Sequence, residues 1–381
     1  MLIQMHLLQS YAPANLNRDD TGSPKDAVFG GVRRGRISSQ CLKRSMRRSA
    51  VFEEEFRKDG LLGIRTKLLP DLIARELEGM GVDEQARRAI VARLAEVGRE
   101  STKSKTEEES LLANGRGEAE TEPESETKQL IFLGQDELRP LAERLLAAYR
   151  QHGPGQWAKA KIFDITKALG SSLPRSVDIA MFGRMTTSSA FEDVQAAVQV
   201  AHALSTHALV QEFDYYTAVD DISGESGAGM IGDVEFNSCV YYKYLNVHWE
   251  GLVRNLGGDT SVASRAVAAL LEAAATAQPT GKQNSFASHC LPDFVLVEVS
   301  ERNLPVSYAN AFLKPARATG DESLMDASRR QLGDYLQRLS RRYGLQGKRA
   351  FLSTEDCQIE GAEGKDGLVE LQNWLVEQLP R

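Results

Sequence analysis

Residues 6–47 read "HLLQSYAPANLNRDDTGSPKDAVFGGVRRGRISSQCLKRSMR", and this one span holds the end of a strand, a long turn-rich connection and a basic helix. Residues 2–11 alternate Leu, Ile and Met with polar positions, the period of a β-strand. The connection then carries Pro13, Asn15, Asp20, Gly22, Pro24 and the pair Gly30–Gly31, all turn formers. A loop this long inside a compact domain is usually functional or poorly ordered. "ISSQCLKRSMRRS" predicts a helix with Ser38 or Ser39 as its N-cap. Gly30 to Ser49 holds seven basic residues and no acid, and the acid-free run extends from Ala27 to Phe52. The whole chain nevertheless has a formal charge of −7.

On a helix, Lys43 and Arg47 share one column and Arg44 and Arg48 the next, while Leu42 and Met46 can pack on a core. Like charges four apart repel, and no acid nearby in sequence relieves them. Arg33, Arg34 and Arg36 lie in the adjoining Gly-rich loop, where glycines permit close backbone approach. A loop and a helix that both present cations suit a surface that tracks phosphates. The plain alternative is a solvated helix face paired with acids from elsewhere.

The rest of the composition is ordinary. The 381 residues are 42% hydrophobic and 26% charged, enough for a substantial core and two or three domains. No apolar run approaches the roughly 20 residues of a membrane span. The start lacks the basic flank and small-residue cleavage site of a signal peptide. Cys41, Cys239, Cys290 and Cys357 are scattered, which excludes a zinc knuckle or redox pair and fits a reducing cytoplasm.

Downstream, "DLIARELEGM", "DEQARRAIVARLAEV" and "DELRPLAERLLAAYR" predict helices around a polar tract at 100–128, whose composition predicts mobility. "SVDIAMFGRM" reads as a strand ending in a turn and "DVQAAVQVAHALS" as a helix. "HALVQEFDYYTAV" and "FNSCVYYKYLNVHW" read as strands flanking a Gly-rich tip. A helix ("SVASRAVAALLEAAATA"), a strand ("DFVLVEVS") and two further helices follow. This is an α+β pattern with insertions, and an RRM/ferredoxin-like βαββαβ sheet is the small fold that suits it.

Several motifs are weaker than they look. Gly227, Gly229 and Gly232 spell G-x-G-x-x-G, but polar residues precede them and a strand follows, so a dinucleotide site is not expected. His202 and His207 are five apart without the glutamate of a zinc motif. Asp19–Asp20 and Asp220–Asp221 could hold a metal for phosphodiester cleavage, although aspartates also favour turns. "TGKQNSFASH" is a polar loop in which Lys282 could meet a phosphate.

The N-terminal span resembles the signature of the CasC family, the repeated backbone subunit of the type I-E CRISPR Cascade complex. "DIAMFGRM", "VQVAHALSTHAL", "FDYYTAVDD", "GAGMIGDVEFNS" and "PVSYANAF" resemble its later blocks in the same order. The likeness covers most of the chain and is weakest across the acidic tract. It implies an RRM-like palm in three parts (1–52, 176–212 and 239–381), a helical fingers insertion (53–175) and a thumb hairpin (213–238). It further implies a noncatalytic scaffold without cofactor or metal. Copies would line up head to tail along a CRISPR RNA, beside other Cascade subunits, and hold the guide ready to pair with target DNA. By position, Lys43 and Arg47 match the family's phosphate-contacting helix residues, and Lys25 and Arg33 its basic loop. Met185 matches an apolar wedge near the RNA, and Tyr216 an aromatic beside the displaced base. The competing expectation is a metal-dependent RNase that cuts target RNA with a loop aspartate.

Overall fold

The computed structural model describes residues 1–94, 127, 130–160, 175–185, 193–219 and 228–380. The tract at 100–128, apart from Thr127, and the pair Asp220–Asp221 lie outside them. The described chain forms two compact units: Met1–Glu55 with Val198–Glu250 and Thr260–Arg381, and Phe56–Ala197 with Gly251–Asp259.

The first unit is built on strands β1 (Leu2–Ser10), β2 (Asp26–Phe29) and β3 (Val32–Ile37), followed by helix α1 (Ser39–Arg47). In the second unit β4 (Gly63–Thr66) pairs antiparallel with β5 (Ile131–Gly134). The first unit resumes with β6 (Val198–Val200), β7 (Ala203–Ser205), β8 (Glu212–Val219), β9 (Ala228–Phe236) and β10 (Val240–His248). β11 (Phe294–Ser300), β12 (Lys348–Ser353) and β13 (Glu363–Gly364) complete the strands. The large sheet runs β13-β12-β11-β1-β10-β7-β3-β2, with β6 also paired to β10. All its pairings are antiparallel except β12 with β13.

β1 lies between β10 and β11 and is covered on both faces, so its polar alternates Gln4, His6 and Gln9 are buried too. The alternation in sequence therefore distinguishes two covered faces, not a wet one from a dry one. On one face, Leu8, Tyr242, Tyr244, Phe294, Leu296 and Phe351 pack beneath Leu332 and Leu336 of the helix Leu324–Tyr343. The register places Ile3, Met5 and Leu7 on the other face, with Leu245, Val247, Val295 and Val297 beside them. The helices Thr260–Thr276 and Leu368–Glu377 pack together, and the former also meets α1.

In the second unit, helices Leu69–Gly79, Glu84–Leu94 and Gln135–His152 enclose a core that includes Ile73, Ile90, Leu145 and Trp157. Two local expectations fail. "SVDIAMFGRM" forms a helix, Val177–Phe182, because a short apolar run has no period that separates helix from buried strand. "DVQAAVQVAHALS" supplies β6 and β7, where pairing with β10 overrides the helical preference of its alanines.

Candidate nucleic-acid interface

α1 begins at Ser38, whose side chain accepts from the Cys41 amide at 3.3 Å, and buries Leu42 and Met46. Its opposite side carries Lys43 and Arg47, half-buried, with Arg44 and Arg48 exposed. The helix has no acid in its first turn, and Arg44 and Arg47 sit in its last turn, where the helix dipole favours cations. Partial burial lowers the Lys43 ammonium below its usual range. Lys43, Arg44 and Arg48 make no side-chain ion pair among the described residues.

The segment expected as a Gly-rich loop is a β-hairpin. Gly30 and Gly31 both take positive φ, 62° and 75°, the pattern of a tight two-residue turn. A side chain at Gly30 would collide with the Leu313 carbonyl at 2.2 Å, so the close approach there is to protein. Period 2 then separates the arginines of β3. Arg33 is exposed, ion-paired to Asp26 and bonded to Gln211 at 2.6 Å. Arg34 is fully buried and donates to Ser205 O (3.2 Å), Thr206 O (2.8 Å), Phe312 O (2.7 Å) and Phe29 O (3.4 Å). With its donors spent on carbonyls and no access to solvent, Arg34 leaves the candidate set. Arg36 remains half-exposed, donates to Asp26 O at 2.9 Å and lies 3.4 Å from His202 Nδ1.

A second group of cations gathers at the N-terminal end of α1. His202 Nδ1 accepts from the Ser39 amide at 3.3 Å, while the Cys41 thiol feels Arg44, Lys25 and Lys243. Burial raises the Cys41 thiol, and those three cations only partly offset it. Burial also lowers His202, and Arg36 and Lys25 lower it further. The sequence reading missed Lys243. Its signal is a lone lysine within the apolar run "VYYKYLNVH", where a strand flanked on both sides has no wet position to offer.

Met185 is 92% exposed and belongs to the second unit. Tyr216 is 40% exposed on the β8–β9 hairpin, opposite Gly232, where a Cβ would come within 2.5 Å of its hydroxyl. Glycine there leaves room for the ring to lie across the strand. Phe213, Tyr215 and Ile231 share the other face of this ribbon, all more than 60% exposed. Lys282 starts a single helical turn, Gln283–Phe286, with φ 50°, and a side chain at the preceding Gly281 would strike the Leu16 carbonyl at 2.2 Å. Asp19 accepts from the Thr21 amide (2.9 Å), the Thr21 hydroxyl (2.7 Å) and the Ser23 amide (3.0 Å), an Asx-type turn. Among the described residues no cluster of His, Cys, Asp and Glu could hold a metal ion, and no helix is long and apolar enough to cross a membrane.

This architecture has solved counterparts. One chain of a "CRISPR RNA-guided surveillance complex, pre-nicking" superposes with a TM-score of 0.78 at 29% identity, covering 99% of each chain. A chain of another "CRISPR RNA-guided surveillance complex" gives 0.70 at 24% identity over the full length of both, a likeness of fold. No curated protein matches. The CT1975-like protein family model matches residues 3–377, and the chain belongs to that family, the CasC-like backbone proteins of Cascade.

Proposed function

We propose that this protein is a noncatalytic, CRISPR RNA-binding scaffold whose copies assemble head to tail along the guide of a type I-E Cascade complex. With other Cascade subunits, the assembly presents the guide to invading DNA in the cytoplasm. The observation that carries the reading is α1, a helix with three cations and a fourth, Arg48, at its C-cap, no acid in its first turn and an apolar side seated on the core. Such a surface meets phosphates and ignores base edges, as a subunit that must hold any guide requires. The strand order β11-β1-β10 with β6 beyond it supports an RRM-like palm. The helical unit suits the fingers and the β8–β9 ribbon the thumb. Lys25, Arg33, Arg36, Lys282, Met185 and Tyr216 remain exposed or half-exposed and so within reach of an RNA strand. Asp19, spent on its own turn, gives no support to a cleaving site.

Charge reversal of Lys43 and Arg47 together is expected to weaken binding of unrelated guide RNAs to a similar extent. Each lost phosphate contact should reduce the slope of log K against log salt by about 0.7. Equal binding by wild type and a folded double variant, measured by anisotropy across a salt series, would remove α1 from the interface. Cleavage of matched RNA by the assembled complex with Mg²⁺ would make the subunit a nuclease and not a passive scaffold.

A further inference from the structure

Lys243 occupies an unusual position for a lysine. It lies mid-strand in β10, opposite Leu7 of β1, and is 3% exposed. On its other side the neighbouring strand is interrupted. Leu245 pairs with Val200 and Tyr242 with Leu204, so two residues of β10 (243–244) face three of its neighbour (201–203). The extra residue makes a bulge at Ala201–His202, a device common where a side chain is re-aimed beside a functional site. The His202 side chain turns to the first turn of α1, where the Ser39 amide donates to it.

The ammonium lies 5.7 Å from the Tyr11 ring centroid and close enough to Cys41 in α1 to act on its thiol. It makes no hydrogen bond or ion pair among the described residues. A buried, unpaired charge is costly, and such a group either finds a partner or gives up its proton. Further cations share the neighbours of Lys243: Arg44 and Lys25 also act on the Cys41 thiol, and Arg36 and Lys25 act on His202. Cations therefore gather about Cys41 and His202 beside a buried amine that has no ion-paired partner among the described residues.

We infer that Lys243 is the floor of a phosphate subsite at the N-terminal end of α1, and that it takes up a proton when an RNA phosphate seats there. RNA binding by the subunit is then linked to pH. This rests on the reading of α1 as part of the RNA interface and adds to it a buried ligand and a proton. The step balances simply: the neutral amine takes one proton from the buffer, and the resulting ammonium pairs with the phosphate monoanion.

The neighbouring groups leave this titration to Lys243. Burial lowers its ammonium to about 7, with the Cys41 thiol only slightly opposing. Burial raises the Cys41 thiol, the Tyr11 phenol and the Tyr241 phenol of the same strand, so all three stay protonated in the neutral range. His202 is pushed below its usual 6.5 and titrates on the acid side. Lys25, Arg36 and Arg44 supply field. Gln9, on the same face one pair along, is uncharged.

The test uses the full-length chain and an unstructured single-stranded RNA, with titration calorimetry in two buffers of different ionisation enthalpy. Between about pH 6.5 and 8.5 the wild type should take up a sizeable fraction of one proton on binding, and its affinity should fall about tenfold as pH rises. Lys243→Met should bind more weakly at the acid end and show neither the uptake nor the slope. Lys243→Arg, permanently charged, should keep affinity and lose the slope. His202→Gln should keep the proton uptake above about pH 7. The same uptake and slope in wild type and Lys243→Met would overturn the inference while leaving the α1 reading intact. RNA binding indifferent to reversal of Lys43 and Arg47 would overturn both. Circular dichroism and thermal melts establish that the Met and Arg variants are folded before either result is read.

Discussion

The two faces of the sheet each bury a charge, and they treat it in opposite ways. Glu298 sits on the face under the helix Leu324–Tyr343. It accepts from His6 Nε2 at 3.0 Å, from the Tyr308 hydroxyl at 2.8 Å and from Arg349. His6 is in turn held by the Tyr242 hydroxyl at 2.8 Å and stacked on Tyr308, ring centroids 4.4 Å apart. Lys243, two strands away on the other face, has a tyrosine ring and a thiol for company. A buried carboxylate with several donors rigidifies a core, whereas a buried ammonium with none destabilises one. The contrast separates structure from function: the completed network serves the scaffold, and the incomplete one marks where an outside anion belongs.

The largest loss is expected at Glu298. Glu298→Ala leaves His6, Tyr308 and Arg349 facing a void and should cost about 3–5 kcal/mol in denaturant unfolding. The same residue governs acid sensitivity. Burial alone would raise its carboxyl, but His6 and Arg349 outweigh burial and hold it at about 2, below the usual 4.5. Its folded-state value is depressed, so its contribution is complete above about pH 4.5 and disappears as pH falls toward 2. Glu298→Gln should lose much of the acid limb of the stability profile that the wild type shows in that window.

Arg34 sharpens the contrast, because it is a buried cation that does have partners. Arg34→Met takes a buried donor away from the carbonyls of Ser205, Thr206 and Phe312 and should cost about 2–3 kcal/mol, again in denaturant unfolding. The last effect carries the opposite sign. Lys243→Met removes an unpaired buried ammonium and should stabilise the free protein near pH 7. Burial holds the folded-state ammonium at about 7 against a usual 10.5, so the wild-type penalty is full below about pH 7 and fades as pH rises toward 10.5. Urea midpoints of the two proteins should converge along that rise, and a constant offset would mean that packing, not charge, separates them.

Much of the architecture was readable from the chain. The helix over 39–47 and its Ser38 cap follow from "ISSQCLKRS", and the strand Phe294–Ser300 from its apolar run. The long amphipathic helix Leu324–Tyr343 follows from its spacing, with the capping box of Ser323 and Asp326 at its start. What failed was decided by partners distant in sequence. Nothing within "DVQAAVQVAHALS" announces that β10 will pair with it. Nothing in "GGVRRGR" tells Arg33, which faces solvent, from Arg34, which is drawn onto carbonyls of residues 205, 206 and 312. In the proposed interface, the common side of Lys43 and Arg47 was legible because a helix converts spacing into a shared face. Lys243 was not, because its meaning comes from the absence of a partner, and absence is visible only once every neighbour has been placed.

The β8–β9 ribbon carries a consequence for how the protein is made. Two strands alone are marginally stable in water, and this pair leaves Phe213, Tyr215 and Ile231 wet on one side. Surplus copies, with nothing to cover those three side chains, are the ones most inclined to clump. A cell or an expression host gains by synthesising the subunit no faster than its binding surfaces are occupied.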